Sequence, residues 1–181
     1  MSIGTPALVH LVRERIPHQV HQYEIPETGG PAQARGARVH YGLAAAEALG
    51  ASPAQMLKTL VVSLEHPAGA LGERGARPPE IGMALLAVDR EASLKLVARA
   101  FGARRAALLD AADVTKVTGY VIGGVSPFGT KRPLPVVIDD AVLSLPRVYL
   151  SAGQRGTSIE MTSADLIRGL DAHVAPISGA E

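Results

Sequence analysis

Short apolar runs of the kind that form β-strands constrain this 181-residue chain more than any other feature. Glycine- and proline-rich turns separate them, and their content of Val, Ile and Leu is typical of buried strands. The clearest runs are Lys58–Leu64, Ile81–Val88, Pro135–Ile138, Val148–Ser151 and Ser158–Met161. Weaker signals occur at Val20–Ile25, Ala106–Leu109, Tyr120–Ile122 and His173–Ile177. Strand-like runs outnumber helical ones and do not alternate strictly with them, which argues against a doubly wound parallel fold. We therefore predict an α+β fold in which a mixed sheet carries helices on its outside.

Helix signals occupy most of the remaining chain. Thr5 offers a capping hydroxyl directly before Pro6, a residue suited to a first helical turn. Asp110 and Ser163 are placed to cap two later helices. The predicted helices cover 6–16, 42–49, 93–101, 110–117 and 163–170, and a further short one starts at Ser52. The segments Glu27–Arg38 and Pro67–Pro79 are rich in Gly, Pro and Arg, and we predict that both are loops.

The composition limits both the fold and the function. Apolar residues make up 47% of the chain, so it can bury a core, and its length fits one domain over residues 1–181. Aromatic residues make up only 3%, which argues against a module that stacks many bases on aromatic rings. There is no cysteine, which excludes disulfides, a cysteine nucleophile and thiolate metal sites. This is consistent with a cytoplasmic protein.

Charge and hydropathy bear on the partners of the chain. No apolar run approaches the ~20 residues of a membrane span, and the N-terminus lacks the pattern of a signal peptide. We therefore expect no membrane association. The formal net charge of +1 is lower than is usual for a protein that coats a long stretch of nucleic acid. A local basic patch would still suffice for brief contact with one end of an RNA.

The stretch GGVSPFGTKRPLPVVID, Gly123–Asp139, concentrates backbone constraint and positive charge. It lacks the spacing of a nucleotide-binding P-loop, and a strand rather than a helix follows it. Phe128 stands where a serine-hydrolase elbow requires glycine. Two interpretations remain open: a tight turn whose glycines need positive φ, or a cradle of main-chain N–H groups that bind a ligand oxygen. Lys131 and Arg132 would contact RNA phosphate or simply belong to a solvated turn.

Two further segments lie at strand ends, where they could share a pocket with this loop. Lys58 is flanked by Leu57 and Leu60, so its ammonium is partly buried or extends to solvent from a strand end. The segment SAGQRG, Ser151–Gly156, is a second small-residue loop after an apolar run. Alone, it indicates only a turn.

The sequence does not favour a metal site or a cofactor. The six histidines are scattered, and none forms an H-x-x-x-H pattern. His18 and His21 are expected on a strand, where their spacing would place them on opposite faces. Asp139 and Asp140 are adjacent, so on a strand they would also point apart, and we expect a solvated strand end there.

Three motifs in this order resemble those of the YbaK/ProX family: Lys58-Thr59-Leu60, TGYVIGGVSPFGTK and VYLSAGQRG. The members of this family are free-standing relatives of the editing domain of bacterial prolyl-tRNA synthetases, and the likeness runs from about Pro6 to Ile177. The branch that hydrolyses Cys-tRNA(Pro) is the most similar. The resemblance implies a mixed, barrel-like sheet surrounded by helices. It also implies a deacylase that cleaves the ester between a wrong amino acid and the terminal adenosine of tRNA.

The resemblance also implies which residues form the site. Lys58 matches the family's catalytic lysine, and the other matches are assigned to substrate binding. These are Tyr23, Tyr41, Thr59, Gly123, Gly124, Ser126, Pro127, Gly129, Ser151 and Gly153. Tyr23 is expected on the first strand. The chain departs from the family at Tyr41, where Phe is commoner, at Ala152, where Gly is frequent, and in its two long loops. These departures bear on the choice of substrate more than on the type of reaction.

The implied mechanism needs no protein nucleophile, because an aminoacyl ester is already activated. For a cysteinyl substrate, the family implies attack by the substrate's own thiol; otherwise a water molecule or the free ribose hydroxyl attacks. Cys-tRNA(Pro) is the first candidate substrate and Ala-tRNA(Pro) the second. The implied partners are the 3′ end of mischarged tRNA(Pro) and, as a further candidate, prolyl-tRNA synthetase. A protein that binds aminoacyl-tRNA or a synthetase without catalysis is the alternative from another class.

Overall fold

A computed structural model of the chain describes residues 4–24, 41–66 and 80–179. The described helices are α1 (Pro6–Arg13), α2 (Tyr41–Leu49), α3 (Leu94–Ala100), α4 (Ala111–Thr118) and α5 (Ser163–Leu170). A 3₁₀ helix covers Asp140–Ser144. The described strands are β1 (Gln19–Gln22), β2 (Leu57–Glu65), β3 (Glu80–Ala87), β4 (Arg105–Leu108), β5 (Val136–Asp139), β6 (Arg147–Gln154), β7 (Thr157–Thr162) and β8 (His173–Ala175).

The larger sheet has five strands in the order β4-β2-β3-β5-β8. Strand β2 pairs antiparallel with both β3 and β4, whereas β5 pairs parallel with both β3 and β8. All four residues of β5 are buried, because the sheet is covered on both faces at this strand. The prediction of a mixed sheet in an α+β fold is therefore confirmed.

A smaller antiparallel sheet has the order β1-β7-β6. It meets the larger sheet at a parallel bridge between Met56, just before β2, and Tyr149 of β6. The Tyr149 N–H donates to the carbonyl of Gln55 at 2.8 Å, and the Val88 N–H donates to the carbonyl of Met56 at 2.8 Å. This junction brings the start of β2 against β6, and the cavity described below lies beside it.

The alternation of β2 divides the core between the two faces of the larger sheet. Leu57 and Val61 belong to the main cluster, which lies between the two sheets and also takes in side chains from α1, α4 and α5. Val62 and Leu64 point the other way, into a second cluster under α3. Side chains two residues apart along a strand lie on the same face, so the division of β2 between the two clusters follows directly from its apolar run.

Most of the helix signals are confirmed, with small shifts. The Thr5 hydroxyl accepts from the Leu8 N–H, and Asp110 accepts from the Asp113 N–H at 2.9 Å, as their capping positions predict. The last helix is capped one residue earlier than expected: Thr162 is the cap, and Ser163 is the first helical residue. The first helix ends at Arg13 rather than at residue 16.

Three local expectations are wrong. Tyr120–Ile122 is not a strand, because the chain is already turning there into the Gly/Pro loop. The segment that starts at Ser52 is a turn rather than a helix. The expected solvated strand end is correct for Asp140, which is exposed, but wrong for Asp139. Asp139 is only 1% exposed, and one of its carboxylate oxygens caps the 3₁₀ helix by accepting from the Ala141 N–H at 3.0 Å.

The remaining differences concern the edges of the described chain. Strand β1 covers Gln19–Gln22, and His18 lies just before it. Tyr23 and Glu24 of the predicted Val20–Ile25 strand are not in a strand, and Ile25 lies outside the described residues. The predicted loops Glu27–Arg38 and Pro67–Pro79 lie outside the described residues. No helix in the described ranges is long and apolar enough to cross a bilayer.

Candidate active site

A cavity of about 320 Å³ lies beside the junction of the two sheets. Its walls come from α2, the start of β2, the first residues of the Gly/Pro loop, and strands β6 and β7. Six of the residues implied by the resemblance line it: Tyr23, Tyr41, Lys58, Thr59, Gly123 and Ser151. A volume of this size is at the lower end of the range for small-molecule sites, ~300–1,000 Å³.

Lys58 supplies the only side-chain cation among the residues that line this cavity in the described part of the chain. It is the second residue of β2, and its ammonium donates to the main-chain carbonyl of Arg90. Burial lowers the pKa of Lys58, while the charges of Glu91 and Asp89 raise it. An ammonium has three N–H donors, so the bond to Arg90 leaves two for a ligand.

The Gly/Pro loop reaches the cavity only through its first residues, Gly123 and Val125. Gly123 has a φ of +87°, and a Cβ there would lie 2.6 Å from the ring of Tyr41. Only glycine therefore fits between the turn and this aromatic wall. The main chain at Gly123 is the part of the loop that a ligand in the cavity would contact.

The rest of the loop faces other parts of the protein. Gly124 packs on the main chain of Gln154 and Arg155, and Ser126 is fully buried, where its hydroxyl accepts from the Phe128 N–H at 3.4 Å. Pro127 and Gly129 line a different cavity of about 310 Å³, together with residues of α1 and α5.

One buried tyrosine holds this loop in place. The Tyr120 hydroxyl donates to the carbonyls of Phe128 at 2.7 Å and Gly129 at 3.2 Å. Its ring lies under Gly153, where a Cβ would approach it to 2.7 Å, so Gly153 packs on Tyr120 and does not line the site cavity. Burial raises the pKa of Tyr120 to about 12, so the hydroxyl keeps its proton at neutral pH.

A row of hydroxyl groups from Tyr23 and strands β6 and β7 forms another wall of the cavity. The Tyr23 hydroxyl lies 3.1 Å from Oγ of Ser158, and Ser151 is the cross-strand neighbour of Ser158. The prediction that Tyr23 lies on the first strand is wrong by one residue, because Tyr23 directly follows the end of β1. Burial raises its pKa. Ser158 is not among the site residues predicted from the sequence. Only the register of β6 on β7 places it beside Ser151.

Behind the hydroxyl row lies a partly buried ionic cluster. Glu160 of β7 accepts from Arg147 at 3.1 Å through one oxygen, and its other oxygen lies 2.8 Å from the His21 ring. Residues 158 and 160 share one face of β7, so this cluster continues the polar face of the smaller sheet beyond the cavity. Within the described ranges, no group of three or more His, Cys, Asp or Glu side chains is arranged to hold a metal ion.

Arg155, in the turn between β6 and β7, fastens the loop to the aromatic wall of the cavity. Its guanidinium donates twice to the carbonyl of Ile122, at 3.0 Å and 2.7 Å, and lies 4.5 Å from the ring centre of Tyr41. Ile122 directly precedes Gly123, so Arg155 fixes both sides of the contact between the loop and Tyr41. The SAGQRG segment by itself predicts only a turn, and Arg155 is not among the site residues predicted from the sequence.

Comparison with known proteins identifies the family to which this constellation belongs. Residues 41–168 match the model of a family described as the aminoacyl-tRNA editing domain. The chain belongs to this family. The match includes Lys58, the Gly/Pro loop and both strands that carry the serines. Of the implied residues that line the cavity, only Tyr23 lies outside the matched residues.

Curated relatives of the editing domain have names that describe related activities. The chain is 28% identical over 136 residues to "Putative Cys-tRNA(Pro)/Cys-tRNA(Cys) deacylase EbsC" of Enterococcus faecalis. The matched region covers 75% of this chain and 76% of that protein. It is 32% identical over 87 residues to "Multifunctional Ser/Thr-tRNA deacylase ProXp-y" of Escherichia coli, which covers 48% of this chain and 52% of that protein.

Solved structures share the fold of the editing domain. A structure described as "a putative trans-editing enzyme for prolyl tRNA synthetase" matches with a TM-score of 0.73 at 24% identity and covers 97% of this chain and 96% of that chain. A structure described as "hypothetical protein APE2540" matches with a TM-score of 0.76 at 21% identity, and covers 96% and 99% respectively. These likenesses establish the fold, and the family resemblance predicted from the motifs is confirmed.

We expect that Arg155→Ala lowers kcat/KM for aminoacyl ester cleavage by this editing domain roughly 5- to 30-fold. The substitution removes two hydrogen bonds and an exposed cation–π contact, together about 1–2 kcal/mol of loop positioning. Arg155→Lys keeps the charge but loses the planar fork, so we expect most of the effect to remain. A double-mutant cycle with Tyr41→Ala measures whether the two side chains act as one unit; additive losses would contradict this assignment.

Proposed function

We propose that the protein is a trans-editing aminoacyl-tRNA deacylase that cleaves the ester of mischarged tRNA, with Cys-tRNA(Pro) as its first substrate. One observation carries the proposal: the Lys58 ammonium, the main chain at Gly123 and the Tyr23–Ser158 hydroxyl pair line one cavity. This places a positive charge, main-chain groups and neutral hydrogen-bonding groups around the same small volume. Membership of the editing family and the names of the relatives supply the substrate class.

The chemistry proposed here does not require a nucleophile from the protein. In the cysteinyl case, the substrate's sulfur bonds to the carbonyl carbon, the ester C–O bond breaks, and the thiol proton goes to the departing ribose oxygen. In the hydrolytic case, water takes the place of the thiol and the products are the free amino acid and the free ribose hydroxyl. Both routes pass through a tetrahedral intermediate whose carbonyl oxygen becomes negative.

Lys58 is the group proposed to stabilise that negative charge. Its ammonium is partly desolvated, and charges interact more strongly where water is excluded. Loss of one such donor costs typically about 3 kcal/mol of barrier. In this proposal Lys58 is the catalytic residue, while Tyr41, Thr59 and the main chain at Gly123 hold the substrate.

Five of the other residues implied by the resemblance are proposed to act through the loop rather than by contact with substrate. Gly124, Ser126, Pro127, Gly129 and Gly153 do not line the cavity. They pack the loop against α1, Tyr120 and the turn after β6, which keeps Gly123 in position. We propose that they are positioning residues.

The lining of the cavity favours substrates with a polar group in a small side chain. Ser151, Ser158, Tyr23 and Thr59 all place hydroxyl-bearing side chains at its wall. A site that hydrogen-bonds a substrate group discriminates strongly against the analogue that lacks it, whereas an apolar pocket separates neighbours by only ~1–3 kcal/mol for each methylene. Cysteinyl and seryl esters are therefore favoured over alanyl esters, and Ala-tRNA(Pro) remains the competing candidate.

Deacylation of charged tRNA by the purified protein alone tests this function. We expect Cys-tRNA(Pro) to be cleaved fastest, Ser-tRNA(Pro) more slowly and Ala-tRNA(Pro) slowest. A preference for the alanyl ester would make the protein an alanyl editor. If none of the three esters is cleaved above the spontaneous rate, the catalytic proposal is wrong and a non-catalytic aminoacyl-tRNA or synthetase binder takes its place. Adding prolyl-tRNA synthetase to the assay tests it as a partner.

We also propose that residues 1–181 act as one editing domain, because both apolar clusters share the strands β2 and β3. A single cooperative unfolding transition, coincident by circular dichroism and by loss of deacylation, is expected for such a unit.

We expect deacylation to fall as the pH rises through the pKa of Lys58, since only the ammonium form stabilises negative charge. Burial lowers this pKa from its ordinary value of 10.5, so the alkaline limb should have its midpoint below 10.5. The charge of Glu91 raises the pKa, so Glu91→Gln should move the limb to lower pH. Single-turnover rates, corrected for spontaneous ester hydrolysis, measure both effects. The control Glu65→Gln changes the same charge at the far end of β2 and should leave the limb in place; a limb unmoved in Glu91→Gln would count against Lys58.

A further inference from the structure

A second groove lies along β2 from the site cavity. It encloses about 620 Å³ and is lined by Ser63, Ile81, Leu109, Asp113, Lys116, Val117, Lys131 and Arg132. Its walls are the outer turns of α4, the end of the Gly/Pro segment and the second half of β2. The proposed reaction uses none of these residues.

Positive charge dominates this groove. Three of its side chains are cationic, Lys116, Lys131 and Arg132, and one is acidic, Asp113. All three cationic residues are exposed. Within the described part of the chain, none of the three forms a salt bridge. The chain as a whole has a formal net charge of only +1, so this is a local concentration of charge rather than a general property.

The fold holds one of these cations in a fixed position. The stem of Lys131 packs over Gly119, where a Cβ would meet its Cε at 3.3 Å. Its ammonium donates to the carbonyl of Lys116 at 3.2 Å, in the last turn of α4, and its N–H donates to the carbonyl of Thr118 at 3.3 Å. Lys131 therefore joins the Gly/Pro segment to α4, whereas Lys116 and Arg132 are the cations available to a ligand.

The groove is close enough to the site cavity for one substrate to reach both. Thr59 lines the cavity and Ser63 lines the groove, four residues apart on the same face of β2. A strand rises ~3.3 Å for each residue, so their Cα atoms are about 13 Å apart. That distance corresponds to about four nucleotides at the ~3.4 Å rise of a stacked strand. A nucleic acid whose 3′ terminus is in the cavity is therefore long enough, within about four nucleotides, to reach the groove with its phosphates.

We propose that this groove binds the sugar–phosphate backbone of the tRNA acceptor end, next to the ester that the cavity receives. Lys116 and Arg132 would pair with phosphates, as cations do in sequence-independent nucleic-acid binding. The apolar side chains between them, Ile81, Leu109 and Val117, provide a surface for the sugars. The inference rests on the proposed function for the identity of the RNA, and an acidic protein is the competing occupant.

Titration of labelled, uncharged tRNA against the protein at several salt concentrations tests the groove without any ester cleavage. The test variant is Lys116→Gln/Arg132→Gln, which leaves the structural Lys131 in place. The matched control is Lys95→Gln/Arg99→Gln on α3, which removes two exposed positive charges away from the groove. Circular dichroism verifies that both variants are folded. Because the two variants have the same net charge, they differ only in where the charge is lost.

The expected result is a smaller salt dependence in the groove variant alone. Each lost phosphate contact reduces the slope of log K against log salt by ~0.7, so two contacts reduce it by about 1.4. At 0.1 M salt this corresponds to a Kd that is roughly 25-fold weaker. The control should stay within about twofold of the wild-type protein.

Two outcomes would overturn the proposal. One is a groove variant that binds tRNA with the Kd and slope of the wild type, even if it binds prolyl-tRNA synthetase less well. The other is a control that loses as much affinity as the groove variant. If the wild-type protein binds tRNA through the groove but cleaves no ester, the proposed function is wrong, whereas the proposal that the groove binds tRNA is supported.

Discussion

Replacing Lys58 with alanine is expected to lower single-turnover deacylation of Cys-tRNA(Pro) by about 100- to 1,000-fold, the usual cost of removing one group that stabilises a developing oxyanion. The fold should survive. Burial lowers the pKa of Lys58, which means that the folded state disfavours its charged form relative to the unfolded chain. Removing the ammonium therefore relieves a desolvation penalty, and the losses are the packing of the aliphatic stem and the hydrogen bond to the Arg90 carbonyl.

Two further variants separate the charge of Lys58 from its packing. Lys58→Met keeps an unbranched apolar stem in the same place and should lose as much activity as Lys58→Ala. Lys95→Ala removes an exposed ammonium from α3 and should keep full activity. Denaturant titration of each variant checks that the fold is intact. If Lys58→Ala and Lys58→Met both deacylate at the wild-type rate, the lysine is not catalytic and the mechanism proposed here fails.

The second large effect is expected on stability, at Gly129. Its φ is +65°, and a Cβ there would lie 2.7 Å from the Ala7 nitrogen and closer still to the Pro6 carbonyl. These atoms are main chain in the first turn of α1, so they cannot move aside as a flexible side chain would. Gly129→Ala should therefore lower the free energy of unfolding by about 3–5 kcal/mol, from backbone strain and overlap together. That is a large share of the ~5–15 kcal/mol by which domains are stable.

Gly102 provides a matched control for this prediction. Its φ is +64°, nearly that of Gly129, but nothing lies within 4 Å of the position of its Cβ. Gly102→Ala should therefore cost only the strain of a left-handed alanine, ~1–2 kcal/mol. Urea denaturation of both variants measures the difference. Equal losses would mean that the close approach of the Gly/Pro loop to α1 does not constrain Gly129.

The Gly/Pro loop connects the sites of these two predictions, because it borders the cavity that Lys58 lines and also contains Gly129. At Gly123 the loop borders the site cavity, whereas at Gly129 it is wedged against α1. Hydrogen bonds hold both ends of this segment: Arg155 donates to the carbonyl of Ile122, directly before Gly123, and Tyr120 donates to the carbonyls of Phe128 and Gly129. The loop is thus a piece of main chain held at both ends, with Gly123 at the site cavity and Gly129 against α1. Preorganised donors of this kind need no rearrangement during the reaction.

Several features of the fold could be predicted because they are local. The short apolar run Ile81–Val88, bounded by turn residues, favours a buried strand, and Asp110 stands directly before a helical pattern. The errors are local as well. Tyrosine is a residue type common in strands, which is why Tyr120 was predicted in one. Its ring packs in the core and its hydroxyl donates to the loop that follows, and the segment forms no sheet pairing.

The candidate site could be predicted only in outline. Motif likeness pointed to Lys58, Gly123 and Ser151, and all three lie at one cavity, although their roles in catalysis stay predictions. Ser158 has no motif of its own, and Arg155 lies in a segment that alone indicated nothing but a turn. Pro127 belongs to the same motif as Gly123 but lies at a different cavity, because the chain turns between them.

The sequence alone predicts most of the strands and helices and the family of editing domains to which the chain belongs. Those properties depend mainly on neighbours along the chain. Which side chains share a cavity follows from the tertiary structure alone. Tyr23 and Ser158 are 135 positions apart and are brought within 3.1 Å by the register of two strands. Register is set by how entire apolar faces pack, and no short motif encodes it.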